Sequence, residues 1–420
     1  MSSNRTGTAV AVGLLIASAF APACGSSNST SNNDGGGSGS GSSGGSGSGS
    51  SSSGSGSSSS GSGSGSSSSG SGSSSSGGSS SGGSSSGGDA GGIPSQPGDG
   101  GVCVGGGGTP GGSGSLGGPA DLFPCDSVWY EDVTNASVAS DSSSIISGIG
   151  QWGGGAMQID FSIMYQHATS STPMVTFSIG DTGDSDSTSV PVPTGGALEG
   201  ETGYTCTGGG DCHLIVVNDS TQQLFELWSV SSVSGTTGSA QQETVWDLTK
   251  HYPPAGRGPG CSSADAAGLA IMPGLIGLRE TKAGAIKHAL RFILPNAKIR
   301  SGSAWAAPAS HGTSSTSSSS GPAYGMRLRL HASFDASKIS SPGGKAVVQA
   351  LKTYGMLLAD GGNDIFTAES DYLEQKIDGT TWGTTLQSND LASIQPSDFD
   401  VLDYTTPLGS GDDCKPNSFF

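Results

Sequence analysis

The sequence predicts a mostly β protein: a single large sandwich- or barrel-like domain with a few short helices, following a disordered Ser/Gly tether. Three observations predict it. Apolar and polar residues alternate over short runs at Met157–Met164, Met174–Ile179 and Gly325–Phe334, the period of a half-buried strand. Glycine-bearing turns separate such runs, and one good helical stripe stands among them, which favours sheets over a bundle. Before them, residues 25–118 are dominated by Ser and Gly, a flexible composition with nothing to bury.

The chain opens with Arg5, an apolar run Ala9–Ala21 and then Ala21-Pro22-Ala23-Cys24. The run is too short to span a bilayer and reads as an export signal over 1–23. Residues 24–118 form the tether, whose about 90 residues reach about 50 Å as a random coil. Residues 119–420 make the domain. Within it Ala120–Asn135 is an aromatic-rich segment expected to dock first. Asp141 heads a short apolar stripe that ends at Gly150, predicting a short helix. Strand patterns recur at His213–Asn218, Leu224–Val233 and Thr244–Leu248, then at Leu275–Arg279 and Ile286–Leu294. Ser341 and Pro342 start the good helix, Val347, Leu351 and Tyr354 form its stripe and Gly355 stops it. Met356–Ala359 reads as a further short strand, and Ser397–Asp403 as a short helix.

Charge is segregated. The net charge is −18, which argues against nucleic acid or anionic lipid as a partner. Every charged residue from Asp121 to Asp247 is acidic, basic residues dominate from Lys250 to Lys352, and acids return from Asp360 to Asp413. Packing the basic middle between the acidic flanks removes the self-repulsion, so one domain is expected. The stretch Ser262–Phe292 in that middle, dense in turn residues, apolar residues and isolated charges, is expected to form its central β-region.

Of seven cysteines, setting aside Cys24 leaves six: Cys103, Cys125, Cys206, Cys212, Cys261 and Cys414. In an oxidising compartment these allow up to three disulfides. Cys206 and Cys212 flank TGGGD and suit a local loop; the spacing leaves the pairing of the others open. No spacing suggests a zinc site. Asp181, Asp184 and Asp186 lie close together in the 180–201 loop but lack the full calcium-loop pattern and its glycine, so a solvated acidic loop is expected. The sequence predicts no metal and no cofactor.

The N-terminus resembles a bacterial lipoprotein signal, although that family usually carries Leu where this chain has Ala21. The resemblance implies diacylation of Cys24, which would become the new N-terminus; ordinary cleavage after Ala23 is the alternative. The expected location is therefore the outer surface of the cell envelope through a lipid anchor, with free secretion second. The pieces LFPCDSVWYEDV, GGDCHLIVVND, LFELW, SADAAGLAIMPGL, IKHALRF, GMRLRLHASFD and LKTYGMLLADGGND resemble a family of uncharacterised secreted bacterial proteins. That resemblance implies a shared fold and bacterial export, and brings no activity and no catalytic residue.

Residues 119–420 contain no GxSxG, HExxH, P-loop or helix-opening GxGxxG motif. What they offer is acids near strands and turns, and glycoside hydrolysis needs only two carboxyls flanking a sugar bond. The candidates are Asp265, Glu226, Glu280, Asp211 and Glu199. Asp265 lies in the turn-like SSADAAG, where capping the turn is the bland role. Glu226 lies on an otherwise apolar strand and points inward or to an exposed edge. Asp211 and His213, two apart, would share a strand face as an acid–base or surface ion pair. His288 shares the apolar face of Ile286, Leu290 and Phe292, as a core histidine or a proton shuttle, with Lys287 and Arg291 opposite, solvated or paired to acidic flanks. Arg327, Arg329 and His331 form a basic row that suits an anionic sugar or offsets the domain's acids. Trp228, Trp246 and Trp305 suit stacking on sugar rings or the core. These readings converge on a lipid-anchored surface protein that binds, and hydrolyses through a carboxylate pair, extracellular polysaccharide. A non-catalytic adhesion or envelope-scaffolding module is the alternative, and lysis of an anionic polysaccharide by the basic row a third.

Overall fold

The run Leu214-Ile215-Val216-Val217 is apolar at every position, and a strand of that kind must be covered on both faces. The computed structural model, which describes residues 118–208, 210–363, 365–410 and 414, shows how. Helix α1 (Ser142–Ile149) leads into β1 (Gln158–Ile163), β2 (Tyr165–Ala168), β3 (Met174–Ile179), β4 (Ser189–Pro191), β5 (Leu214–Asn218), β6 (Gln223–Trp228), β7 (Ser232–Ser234), β8 (Thr237–Ala240) and β9 (Gln242–Asp247). Then come α2 (Leu278–Ala283), β10 (Leu290–Leu294), β11 (Arg327–Leu330), α3 (Pro342–Thr353), β12 (Met356–Gly361), β13 (Ile365–Glu369), α4 (Tyr372–Asp378) and β14 (Phe399–Val401). The described residues belong to one compact unit. The export signal, Cys24, Cys103 and the tether up to residue 117 lie outside the described residues.

The protein is mostly β, in three sheets: β1-β13-β10-β12-β11-β14, β2-β5-β6-β9 and β4-β3-β8-β7. The second sheet is the middle layer. Its Ile215, Val217, Leu224 and Trp246 join the large core with Leu290, Phe292 and Phe366 of the six-stranded sheet. The intervening Leu214, Val216, Phe225, Leu227 and Val245 join a second core with Val175, Phe177 and Val190 of the third sheet. Period-2 alternation thus sorts one strand's side chains between two cores, and the two-layer sandwich pattern gains a third layer. Helix α3 lies against β11, capped by the Ser341 hydroxyl accepting from the Gly344 amide (3.2 Å).

Several local expectations need correction. Leu275–Arg279 is not a strand: Glu280, three residues on, accepts the Gly277 amide (3.0 Å) and starts α2, the one half of a capping box that a glycine N-cap allows. The strand expected over 286–294 begins only at Leu290. Ser397–Asp403 holds a single 3₁₀ turn, Pro396–Asp398, and then β14. Arg291, expected solvated or paired to the acidic flanks, is buried and pairs chiefly with Asp265, an acid of the basic middle itself.

Cys206–Cys212 and Cys261–Cys414 form disulfides, and Cys125 is disulfide-bonded as well, the chemistry of an oxidising compartment. Among the described residues no helix is long and apolar enough to cross a membrane. Ion pairs join the basic middle to both acidic flanks: Arg257 to Asp186 (2.7 Å), Arg327 to Glu131 (3.3 Å) and Arg329 to Asp400 (3.8 Å). The first is wholly buried, so breaking it strands Asp186 in the core. Arg257→Leu should cost about 3–5 kcal/mol. Loss of the exposed pairs of Arg279 with Glu374 and Asp378 in Arg279→Leu should cost less than about 1 kcal/mol. Denaturant unfolding of the two oxidised variants checks the ordering.

Candidate functional site

The turn that begins the predicted central region carries the site. Gly268 adopts φ +72° and accepts no side chain: a Cβ there would come within 2.2 Å of the Ser310 hydroxyl and 2.4 Å of the Cys261 carbonyl. Its amide donates to the Asp265 carbonyl (3.0 Å), and the Ala267 amide donates to Ala359 on β12 (2.8 Å). The SADAAG turn is thereby laid along β12, with Asp265 beside Asp360 at that strand's carboxyl end.

Arg291 of β10 reaches the same point. Its Nε and one terminal nitrogen donate to the two oxygens of Asp265 (3.0 and 2.6 Å), and the other terminal nitrogen donates to Thr367 on β13 (2.5 Å). A buried guanidinium needs such a bidentate partner, and Asp265 has no solvent exposure. Asp360 lies 3.9 Å from Arg291. Burial, then the neighbouring Asp265 carboxylate, hold Asp360 well above the ordinary carboxylate range, with Arg291 pulling the other way. Burial and the Asp265 carboxylate outweigh the cation, so Asp360 favours its protonated form.

A second buried pair supports the turn from below. His213 Nδ1 donates to Glu199 (2.7 Å) and Nε2 donates to the Ala264 carbonyl (3.1 Å). Ser162 donates its single hydroxyl proton to Glu199 (2.9 Å) or Asp160 (2.6 Å). Burial opposes the charge on His213, but the Glu199 carboxylate overrides it and raises the imidazole to about 9. Burial likewise pushes Glu199 up, while His213 and its hydrogen bonds bring it down to about 2.

Above the turn opens a cleft of about 430 Å³ between the middle sheet and the end of β12. Trp228 and Tyr324 give it aromatic surface; Asp181, Asp184, Gln242, Ser262, His311 and Asp360 are among its polar groups. Asp360 is 10% exposed there. Burial raises Asp184, opposed by hydrogen bonding from Ser262 and by the charge of His311. His311 Nδ1 donates to the Ala266 carbonyl (2.8 Å).

The structure distributes the sequence candidates differently. Glu226 is buried between sheets, accepting from the Ile271 and Met272 amides (2.9 Å each) and Trp246 Nε1 (3.1 Å); burial raises it to about 7 despite those donors. Asp265 and Glu226 therefore do not face each other across open space. Asp211 accepts from Trp228 (3.1 Å) and does not pair with His213, since the left-handed Cys212 (φ 46°) between them breaks strand alternation. Glu280 and His288 pair with each other (2.9 Å) and His288 Nδ1 donates to the Ala289 carbonyl (2.8 Å), so this fully buried histidine is satisfied in the core. The basic row grips its own chain. Arg327 donates to the Val128 carbonyl (2.6 Å), Arg329 to those of Val133, Thr134 and Ala136, and His331 meets Asp400 (3.2 Å). Gly409 covers the Trp305 ring, where a Cβ would come within 2.2 Å, and Trp246 is buried against Phe123 and Tyr252. Of the three tryptophans, Trp228 alone lines the cleft.

Sequence reasoning missed Asp360, His311 and Tyr324 as functional residues. Asp360 had a usable signal: an acid ending a wholly apolar strand and followed by two glycines, at the strand end where ligands of parallel sheets gather. Asp186, grouped with the acidic loop, is instead buried against Arg257. Glu201, Cys206 and Cys212 place potential ligand atoms within 4.8 Å of one another, but the two sulfurs are spent on the disulfide. The fold and site define a three-layered β domain whose aromatic, acid-lined cleft sits over a buried ion-pair network. No protein-family model, curated protein or solved structure matches the chain.

The His213–Glu199 pair has a pH signature. A histidine whose folded value exceeds its free value of about 6.5 contributes stability that is complete below about 6.5 and lost as pH rises through about 9. The depressed Glu199 contributes above its free value and is lost only as pH falls through about 2. Unfolding free energy should therefore decline from pH 6.5 to 9 by on the order of 3 kcal/mol from this pair. In His213→Asn that part of the decline should vanish. Denaturant midpoints measured across the window give the answer.

Proposed function

We propose that the protein is a lipid-anchored surface protein whose cleft binds extracellular polysaccharide and hydrolyses it through Asp360 and Asp184. The observation that carries this reading is a carboxyl group biased to its protonated form, Asp360, opening into a cleft with aromatic walls and a second carboxylate. Trp228, half-buried at the cleft, supplies an apolar face on which a sugar ring stacks, and Gln242, Ser262 and Asp184 supply hydrogen-bonding edges.

In this reading Asp360 gives its proton to the glycosidic oxygen as the bond between that oxygen and the anomeric carbon breaks. Water adds to the anomeric carbon and passes a proton to Asp184, whose basicity burial has increased. Burial and the neighbouring Asp265 carboxylate keep Asp360 protonated between turnovers against the pull of Arg291, and neither Asp265 nor Arg291 touches substrate. The carboxylate pair of this reading, Asp360 and Asp184, lies outside the sequence candidates Asp265, Glu226, Glu280, Asp211 and Glu199. The long Ser/Gly segment after Cys24 supports the anchored location, since a tether lets a fixed protein reach large extracellular material.

The test is reducing-end release from a polysaccharide panel by the oxidised protein. Asp360→Asn should lower release by about 100-fold or more while binding persists, and wild-type release should fall as pH rises through the titration of Asp360. Binding without release would favour the non-catalytic adhesion module. Neither binding nor release would overturn the saccharide reading.

A further inference from the structure

We propose that the cleft selects saccharides carrying a free amino group, so that its ligand is a cationic amino-sugar polymer. The proposal rests on the saccharide reading above and adds the substrate's charge. Three carboxyl groups line the cleft, Asp181, Asp184 and Asp360, and no Lys or Arg lines it. The arginine nearest its floor, Arg291, is spent on Asp265 through two hydrogen bonds. The basic row that could have gripped a uronate is tied to the backbone of residues 128–136 and to Asp400. Asp181 and Asp184 also belong to the long stretch from Asp121 to Asp247 in which every charged residue is acidic, so the surrounding field has the same sign and focuses cations into the concavity.

The occupants differ in what they do to Asp181 and Asp184. A neutral ring that filled the cleft would strip water from both carboxylates and return only hydroxyl hydrogen bonds. An anionic ring would add repulsion. A ring bearing an ammonium group removes the same water and supplies a counter-charge with three donors. The exposed face of Trp228 adds a site for that cation, since indole is the strongest cation–π partner among the side chains. N-acetylation of the amine abolishes both gains without changing the ring.

The experiment uses the full oxidised chain and three probes of matched length: a glucosamine hexamer with free amines, its N-acetylated counterpart and a galacturonate hexamer. Binding is measured by calorimetry at low and high salt. The free-amine hexamer should bind about 10-fold or more tighter than the acetylated one at low salt, the galacturonate hexamer should not bind, and the preference should shrink at high salt. Asp181→Asn, at an exposed position outside the proposed chemistry, should shrink the ratio of free-amine to acetylated affinity. Equal affinity for the acetylated and free-amine hexamers, or tightest binding of galacturonate, would overturn the amine preference and leave the saccharide reading standing. Equally tight binding of a lysine hexapeptide would overturn it too, as general cation attraction. No binding of any hexamer would count against the saccharide reading itself.

Discussion

A guanidinium cannot sit between two sheets without a partner, and in this protein much of the centre follows from that constraint. Arg291 projects from β10 into the core, against the 262–268 turn and β13, where it is 4% exposed. Unpaired, it would cost more than one core side chain returns. Asp265 therefore has to reach it, which fixes the path of the 262–268 turn, and that path requires Gly268 at positive φ. Gly274 makes a similar allowance on the next loop, since a Cβ there would lie 2.8 Å from Cβ of Arg291 and 2.7 Å from Trp129. Asp360 lies at the far edge of the same cation, 3.9 Å away, while Asp265 holds it bidentately. The preference of Asp360 for the neutral form follows from burial first and from the Asp265 carboxylate second, which together outweigh Arg291.

The same electrostatic logic explains why one chain holds an acidic first part, a basic middle and an acidic end. The middle does not lie as a basic patch on the surface. Arg257 is buried against Asp186, Arg291 against Asp265, and Arg327 and Arg329 clamp the segment that precedes α1. Those four arginines are consumed internally, while Asp181 and Asp184 stay at an open rim. An acidic cleft over a neutralised interior is what that distribution leaves.

Much of the fold was legible because its signals are local. Alternation marked β1 and β3, and Ser341-Pro342 with its stripe marked α3. The three-layer arrangement was also present, in Leu214–Val217, whose unbroken apolar run demands cover on both faces. The errors came where a local pattern has two solutions. Leu275, Ile276 and Leu278 fit a strand by hydrophobicity, but Gly277 and Glu280 supply a helix start, and capping decided between them. Candidate acids were legible as acids in apolar surroundings, which is a statement about burial. Which wall of which cleft an acid belongs to depends on contacts between residues far apart in sequence, such as Ala267 with Ala359, and no window of sequence contains both. Arg327 and Arg329 were misplaced for a related reason: their partners are backbone carbonyls about 195 residues away, and a carbonyl leaves no trace in a pattern of side chains.

The disposition of the two buried pairs suggests why the site needs both. Arg291–Asp265 sets the charge at the cleft floor, but the turn bearing Asp265 also supplies Ser262, Ser263, Ala264 and Ala266 to the cleft wall. That wall must hold its shape when a ligand displaces the water. His213 pins it at the Ala264 carbonyl, with Glu199 keeping the imidazole doubly protonated so that both of its nitrogens donate. The Cys261–Cys414 disulfide fixes the residue just before Ser262, and Ser310 closes the other side by donating to the Cys261 carbonyl (2.6 Å). One ion pair governs protonation and the other governs position. The groups that tune Asp360 therefore stay dry and fixed beneath the cleft.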